Sequence, residues 1–507
     1  MKRITTLLLA AVFAVSGMAI AHAESNVDVK VSGEWDFSFG FVFNSGYNKN
    51  GHENGTHRND DNFNALQRVR TQVNFIISEN LQAVLQFEIG DDLNWGRGTN
   101  DDGFNEGGAL GADGVNIKTK HAYLDWMVPE TSLHFRMGLQ ALALPSTALG
   151  SNVFDDDVAA VVASYEIDEM FAITAFWARP FDYYRNDGSA GGVIRSLDDE
   201  VDMFGLIAPI SLEGATITPW FVYANVGAAS GIYGEDNFGG TLGGTDQLGN
   251  TSNAPAWWLG LVAEVDMFDP LTFGAEFVYG YLGRNTINIW EENAAGDLEW
   301  ADSEQISSRG WYIAANLDYT LDWGTPGIFG WYASGDNAKD IRNKDRLGRL
   351  PTVAGGQGYS SFGSDGGFGI SPDERLLSVS NTGTWGLGVQ IADMSFIEDL
   401  SHTIRFVYYN GTNDRKVVRD ARNEDPAGFD RNDFNETMAG FGGSANYLTT
   451  KDHAYEINFD HTYQIYENLA ACLELGYIKI DRSSSVWGRD FQDEATYKAT
   501  LSFQFTF

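Results

Sequence analysis

The chain has 507 residues, 70 Asp and Glu against 33 Lys and Arg for a formal charge of -37, and 13% aromatic residues. Such acidity argues against nucleic acid or anionic lipid as a partner and suits divalent or other cations better. A single cysteine, Cys472, excludes an intramolecular disulfide and, lying far from the start, a lipoprotein cleavage box.

At the start, Lys2 and Arg3 precede an apolar run from Ile4 to Ile20 and the small-x-small site Ala21-His22-Ala23. Residues 1–23 therefore predict a cleaved secretory signal peptide, with the mature chain beginning near Glu24 and, without Lys2 and Arg3, a charge near -39. Beyond it no stretch approaches the roughly 18 apolar residues of a spanning helix; VAAVVASY at 158–165 is strand-sized. Residues 24–507 predict one domain, because 57 Gly and few prolines within periodic segments suit one continuous antiparallel sheet.

The first mature segment sets the pattern. Val27, Val29, Val31, Trp35, Phe37, Phe39 and Phe41 share one face, and Asp28, Lys30, Ser32, Glu34, Asp36 and Ser38 the other. Lipid outside and water inside satisfies both faces, which a dry sandwich core does not. The same period recurs near 65–78, 81–91, 117–128, 132–140, 158–167, 170–179, 201–211, 215–225, 255–267, 271–282, 308–321, 326–335, 382–393, 400–410, 452–465, 469–480 and 493–507. With 27–43 that makes eighteen strands; sixteen is the alternative if the hairpin at 201–225 or 326–393 is misassigned.

Connections alternate between short ones, such as Glu79-Asn80-Leu81 and Asp269-Pro270, and long polar ones, such as 92–116, 226–254, 336–381 and 411–450. Short periplasmic turns and long external loops are the asymmetry of an all-β transmembrane barrel, and one this large leaves a water-filled lumen. Trp126, Trp177, Trp257, Trp258, Tyr279, Tyr281 and Trp311 near strand ends predict interfacial girdles. The last strand alternates Tyr497, Ala499, Leu501, Phe503, Phe505 and Phe507 with Lys498, Thr500, Ser502, Gln504 and Thr506.

Taken in order, VSGEWDFSFGF at 31–41, QRVRTQVNF at 67–75, KTKHAYLDW at 118–126, LHFRMGLQ at 133–140 and the terminal LSFQFTF resemble the trimeric porins of Gram-negative outer membranes, most closely the homotrimeric porins of Desulfovibrio-type sulfate-reducing bacteria. The resemblance implies an outer-membrane channel for passive diffusion of small hydrophilic solutes, set among lipid and lipopolysaccharide. It implies a homotrimer whose second loop, about 92–116 and including GDDLNWGRG at 90–98, reaches a neighbour. It implies that the loop at about 141–157 folds inward to constrict the lumen, and that barrel-assembly machinery reads Phe503, Phe505 and Phe507.

Parity independently turns Arg68 and Arg70 inward on the second strand and His134 and Arg136 inward on the fifth. Facing Asp155, Asp156 and Asp157 at the end of the inward loop, these cations would set a transverse field. Equally, the arginines could pair with Glu34, Asp36 or Glu88. Lys118 and Lys120 share parity with Ala122, Leu124 and Trp126 and so point outward unless a bulge shifts the register. Inward Glu276, Glu456, Asp460 and Glu474 suggest a cation preference. Acidic clusters at Asp60-Asp61, Asp198-Asp199-Glu200 and Asp430 to Glu436 lack Ca2+-loop spacing, so loose bridging by divalent cations such as Ca2+ is expected and no built cofactor or metal site.

The alternative within the same fold is a substrate-selective channel for small organic acids or anions, which needs a persistent site such as an arginine ladder. A lipid-facing hydrolase would need Ser, His and an acid on adjacent strands; His402, His461 and Ser401 are the only hint, and no enzyme is expected.

Overall fold

The computed structural model describes residues 27–44, 52–53, 56–57, 62–96, 117–182, 200–227, 253–287, 290–292, 298–300, 304–357, 362, 380–424, 447–488 and 495–507. The predicted signal peptide and mature start, most of the second loop, and the acidic pairs or runs at 60–61, 198–199 and 430–436 lie outside the described residues.

Among the described residues eighteen strands form the wall: β1 (Asp28–Phe43), β2 (Asn62–Ser78), β3 (Leu81–Asn94), β4 (Ile117–Met127), β5 (Leu133–Ala143), β6 (Asp155–Glu166), β7 (Ala172–Asp182), β8 (Glu200–Ile207, continued by Ile210–Leu212), β9 (Ala215–Val226), β10 (Ala254–Phe268), β11 (Leu271–Ile287), β12 (Glu304–Tyr319), β13 (Thr325–Ala333), β14 (Thr384–Ile397), β15 (Leu400–Gly411), β16 (His453–Tyr466), β17 (Leu469–Asp481) and β18 (Ala495–Thr506). Each pairs antiparallel with the next, and β1 also pairs with β18 from Glu34↔Thr506 to Phe43↔Tyr497. The sheet is therefore closed and leaves no free edge. Both hairpins that could have reduced the count are continuous, β8–β9 from Val201↔Val226 and β13–β14 from Thr325↔Ala392.

Period two decides the faces. Val29, Val31, Trp35, Phe41, Leu259, Leu261, Phe273, Phe277, Leu387, Val389, Ile404 and Phe406 are all exposed on the exterior, forming the apolar belt of a transmembrane barrel. Aromatic pairs such as Trp126–Phe135, Trp311–Tyr332 and Trp323–Phe396 stack on it. One expected girdle residue does not belong there. Trp258 is fully buried on the lumen face, because it follows the outward Trp257 by one residue and consecutive strand residues point to opposite sides.

On β4 a bulge does occur. Gln86 stands opposite His121 but Phe87 stands opposite Thr119, which makes Lys120 the extra residue. Lys118 is thereby brought opposite the buried, inward Glu88. The strands also run further than predicted around the third long-type connection: Ala141 to Ala143 complete β5, and Asp155, Asp156 and Asp157 open β6, paired with Ala143, Leu142 and Ala141, so the three aspartates lie in a strand and not at the end of a loop.

Candidate functional site: the narrowed lumen

The connection left between β5 and β6 is 144–154, and its large apolar side chains are buried: Leu144, Leu149, Val153 and Phe154 are at most 3% exposed. It reaches a strand far round the wall. The Thr147 amide donates to Glu276 Oε2 at 2.9 Å, and Glu276 is an inward residue of β11, between the outward Phe273 and Phe277. The Asn381 amide, just before β14, donates to Asn152 Oδ1 at 2.9 Å.

A second segment meets it from the connection between β13 and β14. Helix α1 (Ala338–Lys344) starts at Asn337, whose side chain accepts from the Lys339 amide, and ends at Asp345 in the left-handed region. The chain then turns along the wall, Arg346 and Leu347 pairing in parallel with Ser307 and Ser308 of β12. Pro351 carbonyl accepts from Trp258 Nε1 at 2.8 Å, and Arg349 carbonyl from Ser308 Oγ at 2.9 Å. This close approach needs Gly310, where a Cβ would lie 2.2 Å from the Leu350 amide nitrogen. The two inner segments are then zipped together: Val353 and Ala354 amides donate to Val153 carbonyl, the Asp155 amide donates to Ala354 carbonyl, and Ser151 pairs with Gly356.

Where α1 leaves the wall, Arg349 Nε donates to Asp336 Oδ2 at 3.0 Å, both side chains being buried, and the Arg349 guanidinium lies 4.8 Å from the Tyr447 ring centre. The Tyr447 hydroxyl also meets Asp336 Oδ2, at 3.3 Å. Burial, with the Asp336 carboxylate beside it, holds this phenol protonated well above its usual range.

The inner wall has two sides. From β6 to β13 its long-loop half is apolar, with Ala160, Phe176, Met203, Val222, Ala256, Trp258, Tyr312 and Trp331 buried against one another and the inner segments. From β14 through the closure to β5, Val407, Tyr409, Ala454, Ile478 and Ile480 continue that cluster at the long-loop end, and polar and charged residues occupy the wall beside them. Arg405 on β15 donates to Gln390 at 3.2 Å, and Asp460 on β16 stands opposite Glu474 on β17, itself opposite Thr500 on β18. Glu456 accepts from the Tyr409 hydroxyl at 2.5 Å. Arg68 meets Asp36 at 3.1 Å; Arg70 meets Glu88 at 2.6 Å and Glu34 at 3.3 Å. On β5, Arg136 and His134 both converge on Asp125 of β4, at 3.1 and 2.6 Å, with the guanidinium 4.9 Å from the Tyr123 ring centre.

Arg68, Arg70, His134 and Arg136 thus sit on one continuous arc. Asp155, Asp156 and Asp157 are not brought against it. Asp157 is instead taken by the bulged strand, with Lys120 Nζ at 2.5 Å and His121 Nε2 at 2.8 Å. Sequence patterning places 346–357 within the polar external loop 336–381 and so misses this inner segment. The signal was present in Leu350-Pro351-Thr352-Val353-Ala354, an apolar run inside that loop, and in β9, whose ATITPWFVYANV is apolar on both faces. Among the described residues no group of three or more His, Cys, Asp or Glu gathers to hold a metal.

Arg70 offers a direct check of the arc. Arg70→Ala removes the guanidinium from Glu88, a carboxylate only 6% exposed that also stands opposite Lys118. The arginine is itself partly exposed, so the expected cost lies between the surface and buried limits, at about 2 kcal/mol. A lowered temperature for conversion from the folded to the unfolded electrophoretic form would register it.

No family model matches this chain, and no curated protein matches it. Among solved structures it is similar in architecture to Pseudomonas aeruginosa OpdO, at 12% identity over 95% of this chain and 97% of that one, with a TM-score of 0.47. It is similar to P. aeruginosa OpdK solved with vanillate, at 11% identity over 94% and 99%, TM-score 0.46. It is also similar to Acinetobacter baumannii OccAB4, at 9% identity over 96% and 100%, TM-score 0.46. Identities this low leave the chemistry of the lumen to its own residues.

Proposed function

We propose that this barrel is a channel of a Gram-negative outer membrane, selective for small organic acids and not a general diffusion pore. The observation that carries the proposal is the two-sided lumen: two inner segments joined to each other narrow it, an apolar wall lies behind them, and the opposite arc holds guanidinium groups at fixed positions beside carboxylates. Planar guanidinium groups suit carboxylates, and the apolar side offers contact to a small hydrocarbon body. Arg68, Arg70 and Arg136 each sit against carboxylates, which fixes their geometry and moderates their charge. Asp460, Glu474 and Glu456 stand on the same arc, so the arginines act beside lumen carboxylates, and only the remaining acidity of the chain acts outside the lumen. The polar and apolar sides together also explain why size alone would be a poor description of passage.

The test is single-channel current in planar bilayers. Saturable block by a small carboxylic acid, and none by an uncharged solute of the same size, is the expected result. Unsaturable, size-ordered passage of sugars and acids alike would return the protein to general diffusion. Reversal potentials in a salt gradient bear on the earlier expectation of cation preference, which this proposal replaces with anion recognition at the arc.

The quaternary state we propose is a homotrimer, for which mass determination in detergent is the check. The terminal Phe503, Phe505 and Phe507 serve, in this proposal, as the signal read by the assembly machinery after export through the signal peptide at 1–23.

A further inference from the structure

On the exterior, near the rim that carries the short turns, two histidines occupy directly opposed positions in the β15–β16 ladder, His402↔His461. Their rings lie 4.9 Å apart at 83°, and Nδ1 of one is 2.7 Å from Nδ1 of the other. One Nδ1–H therefore donates to the other ring's lone pair. Phe459 packs edge-on against His461 at 4.1 Å and lies 6.2 Å from His402, so both rings are held with these nitrogens converging. His402 lies two residues into β15 after the turn, and both side chains are half-buried, within reach of the interface.

We propose that His402 and His461 form a two-histidine site for a divalent transition ion, Zn2+, Ni2+ or Cu2+, that staples β15 to β16. Replacing the shared proton by an ion puts two nitrogens at about 2.1 Å from a tetrahedral centre, hence about 3.4 Å from each other. From 2.7 Å the pair has to open by about 0.7 Å, which two imidazoles on adjacent strands achieve by side-chain rotation. The cross-strand row reads Met394, His402, His461, Leu473, without a carboxylate. Nitrogen donors in such a row select transition ions over Ca2+ or Mg2+, and water completes the coordination. This site is independent of the channel proposal, because it faces away from the lumen.

The test uses the full-length barrel in detergent micelles, carrying His52→Ala and His57→Ala so that the other cross-strand histidine pair, His52↔His57, does not contribute. Titration with Zn2+ alone, followed by calorimetry, is expected to show one site, weakened at least about tenfold by either His402→Ala or His461→Ala. Zn2+ is also expected to raise the melting temperature of the parent and not of the single variants, with a chelator reversing the rise. If a variant fails to fold, His461→Gln, which retains a polar side chain, replaces it. A parent that binds no Zn2+, or single variants that bind as tightly as the parent, would overturn the proposal.

Discussion

Glu276→Ala is expected to raise the open-channel conductance and weaken block by organic acids, and a combined Glu276→Ala, Asn152→Ala variant should do so further, roughly doubling the current. The Thr147 amide is buried, and its partner on the far wall is the Glu276 carboxylate. Removing that acceptor leaves a buried N–H unmet, at a cost of about 1–3 kcal/mol borne by the inner segment and not by the wall. The segment keeps its pairing with Val353 and Ala354 and the contact from Asn381, so the single variant loosens it, and the double one, which keeps only the pairing, loosens it further. Glu276→Gln separates hydrogen bonding from charge: its carbonyl oxygen still accepts from Thr147, so near-normal conductance is expected. Unchanged conductance in both alanine variants would mean that segment 144–154 does not limit passage.

The wall of this barrel was legible in the sequence because each strand must show lipid a continuous apolar row, and a period of two over a dozen residues is hard to mimic. Positions such as Leu259, Leu261 and Leu387, Val389 carry that signal without help from their neighbours. The lumen side carries no such rule. An inward position is polar where it meets water and apolar where an inner segment lies over it, so Trp258 has the residue type of a girdle although Pro351 lies against its indole. Lys118 and Lys120 were ambiguous for a related reason. Parity propagates along a strand only until a bulge, and the slip opposite Gln86 and Phe87 leaves no mark in the residue types themselves.

Charge pairing was readable for the arginines of β2, whose partners Glu34, Asp36 and Glu88 the sequence already offered, and misleading for the aspartates of β6. Arg70 meets Glu34 and Glu88 because β1, β2 and β3 lie side by side in one register, with Glu34↔Arg70 and Arg70↔Glu88 directly opposed. Asp157 looked equally able to face those arginines, yet the three aspartates pair within β5 and β6 and the cation against Asp157 is the bulged Lys120. The field across the lumen is therefore set by which strands are neighbours, a property of closure and not of any single segment.

Closure supplies the second large effect. The Gly33 amide donates to the Phe507 carbonyl at 2.9 Å and the Phe507 amide to the Gly33 carbonyl at 3.0 Å, which ends the β1–β18 seam. Deleting Phe507 removes these two hydrogen bonds, worth about 1–3 kcal/mol together, from a seam that still has ten paired positions from Glu34↔Thr506 to Phe43↔Tyr497. Thermodynamic closure alone thus predicts a small effect. Recognition of the terminal aromatic by assembly machinery predicts a large one: the yield of inserted barrel should fall severalfold, while inserted molecules keep their melting temperature and selectivity. Gly33→Val gives the opposite signature. Its Cβ would lie 2.3 Å from the Arg70 carbonyl oxygen and 2.6 Å from the Phe507 ring, so β1 has to move away from β2 with the terminal residue intact. Stability and yield then fall together, as overpacking against backbone requires. Normal insertion after loss of Phe507 would remove the terminal residue from the assembly signal and leave it the structural role that the Gly33 contact already describes.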